Sequence, residues 1–276
     1  MCRKPQGTLW AELLHGGRSS LTYLVTDGRF RWVVRRPPLG GLTPSAHDMG
    51  REYRIVAALH DTGVPVARAV SLCENPEVLG VPFSVVSHVP GREDLHVLPQ
   101  AGIDRCATAL IDVLAGLHAV PYEEIGLSGF GRPEGYLARQ VRRWRDQWQR
   151  VATRELPDID TLYKRLAADV PVENGASIVH GDYRIDNAIL APGDPGTVCA
   201  LVDWEMATVG DPLADLGMTL EGESAKIPAG DAGVPPGEVP RGGQPVAGGG
   251  GGAAQHRVER RIPVDQTSAS ATSRSP

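Results

Sequence analysis

The sequence predicts an α+β protein, with a small, mostly antiparallel sheet and one helix first, and a helical region broken by short strands after it. Three observations predict this. Extended apolar runs separated by turn signals fill the first ninety residues. Helix-period apolar patterns take over between residues 104 and 169. Beyond Leu220 the composition changes abruptly, and the apolar side chains that build a core run out.

The elements follow in order. Residues 21–26 (LTYLVT) read as a strand, Asp27-Gly28 as a hairpin turn, and residues 30–35 as the returning strand, ended by Pro37 and Pro38. Met49, Ile55, Val56 and Leu59 give residues 45–61 a helical period. Residues 67–72 and 83–89 read as a further pair of strands. Helices are expected over 104–118, 135–153 and 161–169. In the second of these, Trp144 and Trp148 read as packing residues, and the run of Arg139, Arg142, Arg143, Arg145 and Arg150 as a solvated face or a contact for an anionic substrate. Short strands at 177–180, 188–191 and 198–204 come next, and Asp211-Pro212 opens a last helix, Asp as cap and Pro in the first turn.

The tail, 221–276, holds 11 Gly and 7 Pro in 56 residues and no Leu, Phe, Trp, Tyr, Met or Cys. Such a segment cannot bury enough apolar surface to offset its ordering entropy, so it is expected to be disordered. The formal net charge of −5 argues against wholesale nucleic-acid or membrane-surface binding, which needs a basic face. No apolar run approaches the ~18 residues of a membrane span. The short run after Arg3 and Lys4 is broken by Glu12, unlike a signal peptide. Four scattered cysteines form no metal or disulfide pattern. A cytoplasmic protein is the expectation.

The strongest chemical signal is His180-Gly181-Asp182-Tyr183-Arg184-Ile185-Asp186-Asn187, followed sixteen residues after Asn187 by Asp203 in Val202-Asp203-Trp204-Glu205. Phosphoryl transfer from ATP needs such parts: a carboxylate beside the attacking hydroxyl, and an amide oxygen with a second carboxylate to hold magnesium against the phosphates. Taken singly, each residue could equally be a turn residue capping backbone groups. The three in order, followed by Gly210-Asp211-Pro212-Leu213-Ala214-Asp215-Leu216, make the catalytic reading the stronger one.

These motifs resemble the aminoglycoside phosphotransferase family, a branch of the protein-kinase-like fold. VVRRPP, AHDMGREYR and VPVARAVSLCENPEVLGVPFSVV further resemble the branch associated with acyl-CoA dehydrogenases. The resemblance implies a bilobal fold: a β-rich N-lobe over residues 1–89, a helical C-lobe over 90–220, and nucleotide between them. It implies Asp182 as catalytic base, Asn187 and Asp203 as magnesium ligands, and His180 and Asp215 as structural support of the catalytic loop. His15-Gly16-Gly17-Arg18-Ser19-Ser20 matches the nucleotide-covering loop, with Gly17, Ser19 and Ser20 toward the phosphates. Ser20 stands where relatives usually have Asn. Arg35 takes the place of the usual phosphate-binding Lys, with Glu52 as its ion-pair partner. Ser87, His88 and Val89 form the hinge that meets adenine, departing from the usual acidic-aromatic pair.

The resemblance runs from about Leu13 to Leu220. Family members continue with roughly a hundred residues of helix that complete the C-lobe, whereas the tail here resembles an out-of-frame reading of a GC-rich gene. Three readings therefore stand at this stage: an ATP-dependent phosphotransferase acting on a hydroxyl of a small molecule, aminoglycoside-like or hydroxyacyl-CoA-like; a truncated nucleotide-binding pseudokinase; and an inactive product without an acceptor site.

Overall fold

The computed structural model describes residues 7–14, 20–37, 48–91, 98–224 and 262–264. Its first part is an antiparallel sheet. Strands β1 (Leu9–Leu14), β2 (Leu21–Thr26) and β3 (Arg31–Arg36) form a meander. Asp27 fixes the β2–β3 turn, its Oδ1 accepting the N–H groups of Arg29 (2.9 Å) and Phe30 (2.7 Å). Helix α1 (Met49–Leu59) follows, capped by Asp48, whose side chain accepts the Arg51 N–H at 2.9 Å. Then come β4 (Ala69–Cys73), a single turn α2 (Pro76–Leu79) and β5 (Phe83–Ser87). With β10 (Ile262–Val264) the strand order is β10-β1-β2-β3-β5-β4.

The second part is helical, with α3 (Gln100–His118), α4 (Tyr136–Val151) and α5 (Pro157–Ala168). Two small antiparallel pairs follow: β6 (Ser177–Val179) with β9 (Thr208–Gly210), and β7 (Ala188–Ala191) with β8 (Asp194–Leu201). Helix α6 (Leu213–Ser224) closes this region, with buried Asp211 accepting the Leu213 N–H at 2.9 Å at its start. One apolar core joins the two parts. Ile55 and Leu59 of α1 belong to the same cluster as Leu110, Leu114 and Leu117 of α3, Ile178 of β6 and Leu190 of β7. The architecture is the bilobal, kinase-like one. Where the first part meets the second, Gly91 lies so close to β7 that a Cβ there would fall 2.0 Å from Ile189 Cγ2 and 2.7 Å from the Leu190 carbonyl oxygen.

Several expectations need correction. Residues 9–14, noted only as too short for a signal peptide, form β1. The last strand before the Asp203 loop is Asp194–Leu201, so Asp203 and Trp204 lie beyond it, where Trp204–Met206 makes a 3₁₀ turn. Helix α5 starts earlier than expected, at Pro157, a residue suited to a first turn. Trp144 is not a packing residue: 53% of it is exposed. The disorder expected after Leu220 concerns mainly 225–261 and 265–276, which lie outside the described residues. Of the described ones, α6 continues to Ser224, and 262–264 pair with β1 in the register Leu9↔Val264. Among the described residues no helix is long and apolar enough to cross a membrane.

Candidate active site

The site assembles around the turn between β6 and β7. Its first anchor is Asp215, fully buried in the first turn of α6. That carboxylate accepts the N–H groups of His180 and Gly181, each at 2.8 Å, and meets His118 Nε2 at 3.1 Å. Gly181 has φ +85°, and a Cβ on it would lie 2.7 Å from the Met206 carbonyl oxygen, so the turn needs glycine twice over. The imidazole of His180 is buried and packs 4.5 Å, centroid to centroid, from Trp204. Its Nδ1 accepts the Asp182 N–H (3.4 Å) and its Nε2 meets the Val202 carbonyl at 3.1 Å. Burial lowers its pKa, although Asp215 and the Val202 carbonyl oppose this. A neutral ring bonded at both nitrogens has no lone pair to offer a substrate.

That turn places Asp182 and Asn187 together. Asn187 Nδ2 donates to both the backbone oxygen (2.9 Å) and Oδ2 (2.8 Å) of Asp182. The Asn187 side-chain oxygen is thereby directed elsewhere. The Val202 N–H donates to the Asn187 carbonyl at 2.9 Å, which carries Asp203 alongside. Asp203 has φ +66° and ψ 57°, and is the one non-glycine residue with positive φ among those described. A left-handed aspartate is uncommon and needs support from its surroundings.

The N-terminal sheet reaches this cluster through Arg35 on β3. Its Nη1 pairs with Glu52 Oε1 of α1, and its Nη2 meets Asp203 Oδ1 at 3.0 Å. Desolvation works against the guanidinium, but Glu52 and Asp203 outweigh it and raise its pKa. Glu52 behaves differently. Burial pushes its carboxyl up to about 7, Arg35 opposes this, and Asp203 and Glu205 add to it. Of the pair, the arginine holds its charge firmly and the carboxylate does not. Glu52 Oε2 is buried without a hydrogen-bond partner.

This shift has a checkable consequence. A carboxyl raised in the folded state contributes stability that is complete below its unfolded pKa near 4.5 and is lost as pH rises through about 7. Glu52→Gln removes that titration. The variant is expected to gain on the native protein between pH 5 and pH 8 by on the order of 2 kcal/mol. Thermal unfolding of both across that range checks it, and a constant difference contradicts it.

The remaining sequence-identified residues fall as follows. Ser20 begins the turn into β2, and its hydroxyl is buried without a partner. Gly17 and Ser19 lie outside the described residues. At the expected hinge, two N–H groups are already engaged. The Ser87 N–H donates to the Arg68 carbonyl (2.8 Å) and the His88 N–H to the Arg31 carbonyl (3.1 Å). Of the three hinge residues, only Val89 keeps an N–H not so engaged, which narrows the expected backbone contact to adenine. Sequence reasoning missed His118, 97 residues from Asp215, and the ring contact between Trp204 and His180. No local pattern marks either one.

Among the described residues no three His, Cys, Asp or Glu side chains converge on a metal position. One carboxylate and one amide oxygen, Asp203 and Asn187, suit magnesium, which keeps waters and takes phosphate oxygens for the rest of its shell. The Ser20 hydroxyl, just ahead of β2, whose Thr22 pairs with Arg35, is a buried donor without a partner. The donor set therefore fits a magnesium–nucleotide pair.

Comparison with known proteins gives a consistent result. The pattern of the Phosphotransferase enzyme family matches residues 10–239, further at both ends than the span from Leu13 to Leu220 expected from the motifs. Acyl-CoA dehydrogenase family member 11 of Gallus gallus is 38% identical over 219 residues, covering 78% of this chain and 28% of that protein. The chain thus spans only about a quarter of the length of that curated relative. A Ralstonia eutropha structure provisionally named an aminoglycoside phosphotransferase is 35% identical, with a TM-score of 0.69 over 82% of this chain and 67% of its own. A thermostable aminoglycoside phosphotransferase mutant, solved as a ternary complex with ADP and hygromycin B, shares the fold at 19% identity, with a TM-score of 0.56 over 75% of this chain and 70% of its own. With the family pattern matched over residues 10–239, most of this chain, the chain belongs to the phosphotransferase enzyme family.

Proposed function

We propose that the protein transfers the terminal phosphoryl group of ATP to a hydroxyl of a small molecule. The observation that carries this is the unbroken line of contacts from Glu52 through Arg35 to Asp203, with Asn187 and Asp182 beside it. Asp182 accepts the proton of the acceptor hydroxyl as the acceptor oxygen bonds to the γ-phosphorus. The bond from that phosphorus to the β–γ bridging oxygen breaks, and ADP leaves with the electron pair. Asn187 and Asp203 hold magnesium, which when bound neutralises charge building on the phosphate oxygens. Gly17, Ser19 and Ser20 cover the phosphates, and Arg35 offers them N–H donors not spent on Glu52 and Asp203. The hinge around Ser87, His88 and Val89 receives the adenine. Asp215 and His180 keep the turn that presents Asp182. In this reading residues 1–89 and 90–220 are the two lobes.

The acceptor is inferred from charge. A cleft of about 510 Å³ opens beside α4, lined by Arg132, Arg139, Arg142, Arg143 and Arg150 with Asp146 as its single acid. Thr208, five residues after Asp203, also borders it. Such a lining repels a polycationic aminoglycoside and favours a phosphate-bearing acceptor such as a hydroxyacyl-CoA.

Calorimetric titration with ATP, with and without magnesium, followed by ADP-release assays with kanamycin and with a hydroxyacyl-CoA, tests the proposal. Magnesium-dependent binding is expected, with turnover on the anionic acceptor that declines with salt. Binding without turnover on any hydroxyl acceptor would leave a nucleotide-binding protein in place of a transferase. A folded sample without magnesium-dependent affinity would contradict the whole reading.

A further inference from the structure

Helix α1 carries two arginines one turn apart, Arg51 and Arg54, beside Glu52. Arg51 Nη2 donates to two backbone carbonyls of the helical lobe, those of Phe130 and Ala207, the second at 3.0 Å. Its guanidinium carbon lies 3.9 Å from the centroid of the Phe130 ring. Arg54 Nη2 donates to the Gly126 carbonyl at 2.6 Å, and its guanidinium stands 5.9 Å from the same ring. Phe130 is buried in the common core, so the surface these arginines grip is rigid.

Ala207 lies four residues after Asp203, and Arg51 immediately precedes Glu52. A closed circuit results. Asp203 bonds Arg35, Arg35 bonds Glu52, the helix carries Glu52 to Arg51, and Arg51 bonds the carbonyl of Ala207. Helix α1 therefore grips the segment 203–207 at both ends. The circuit also supports the left-handed backbone of Asp203, which otherwise stores strain.

The geometry points to Arg51 as a positioning residue. It fixes α1 against segment 203–207 and to the Phe130 turn, so that the Glu52–Arg35–Asp203 line stands assembled before nucleotide arrives. The relevance of this to phosphoryl transfer rests on the proposed role of Asp203; the mechanical statement does not. A guanidinium is needed because one planar group must serve two carbonyls and lie over a ring at once. A lysine ammonium supplies charge and donors without the plane that lies over the ring.

Hydrogen exchange on the full chain, without nucleotide, tests the inference in Arg51→Met, Arg51→Lys and Phe130→Leu. Arg51→Met is expected to speed exchange in 204–210 by about tenfold or more, with β7 and β8 unchanged, because the charge-assisted hydrogen bond to Ala207 that ties the segment to α1 is lost. Arg51→Lys should recover part of the protection. Phe130→Leu, which keeps the carbonyl and removes the ring, should have a smaller effect at the same place. Unchanged exchange in 204–210, or equal acceleration throughout the chain, overturns the inference. If Arg51→Met does not fold, Arg51→Lys gives the same local signature at lower amplitude. ADP titrations of the same proteins separate this inference from the functional reading. Arg51→Met should lower the magnesium-dependent gain in ADP affinity. A native protein with no such gain, alongside localised exchange in Arg51→Met, sustains the positioning role and refutes the phosphotransferase reading.

Discussion

Asp203→Ala is expected to remove the magnesium-dependent part of nucleotide binding, whereas Asp182→Ala is expected to leave binding in place and stop transfer. The two carboxylates belong to one cluster but face different partners. Asp203 is tied to Arg35 by one oxygen, and its side chain is a third exposed, which leaves the other oxygen for a cation. Its loss should weaken magnesium–nucleotide affinity by more than the roughly 10–100-fold typical of residues one step further from a metal. Asp182 bonds Asn187 through Oδ2, but Asn187 Nδ2 also donates to the Asp182 backbone oxygen, which alanine retains. Asn187 therefore keeps its orientation in Asp182→Ala. Transfer should fall by about 100- to 10,000-fold, the range for loss of a general base. Because residue 203 adopts a left-handed backbone, Asp203→Asn is the better-matched control: asparagine tolerates that conformation and alanine is strained in it. Titrations with ATP and ADP-release assays on all three variants check this. Equal loss of nucleotide affinity in the Asp182 and Asp203 variants contradicts the assignment.

The second large effect concerns stability. Asp215→Ala deletes a buried carboxylate that accepts two backbone N–H groups at 2.8 Å and meets His118 at 3.1 Å. The His180 N–H is buried, and it loses its acceptor together with the Gly181 N–H. At about 1–3 kcal/mol for each abandoned buried donor, the loss should reach about 3–5 kcal/mol. That is a large share of the roughly 5–15 kcal/mol that holds a typical domain folded. Urea unfolding monitored by tryptophan fluorescence measures it, since Trp204 packs on His180. A loss below about 1 kcal/mol would show that the turn does not depend on this anchor.

Much of the site was legible because its residues lie in short, ordered strings. Asp182 and Asn187 share one turn, and the hairpin of β7 and β8 brings Asp203 back by local pairing alone. The β2–β3 hairpin was legible for the same reason, through Asp27 and Gly28. What stayed hidden was long-range or weakly patterned. In β1 the run Leu-Trp-Ala-Glu-Leu-Leu has no alternation of apolar and polar residues, and Leu13 and Leu14 are exposed. Strand β9 has three residues, one of them glycine, and pairs with a strand some thirty residues earlier. The grip of Arg51 on Phe130 joins positions 79 apart, and neither residue type signals the other. Trp144 was misread because helical spacing identifies a face and does not say what covers it.

The close approach of Gly91 to β7 bears on how independently the segment after β5 can move. Gly91, four residues after β5, lies against Ile189 and Leu190 with no room for a single added carbon. Those two residues follow Asn187 almost directly in sequence. A side chain at residue 91 would therefore push on the strand that leads directly out of the Asn187 turn. The segment after β5 and the strand leaving the Asn187 turn are thus packed as one unit, and a displacement of either is passed to the other.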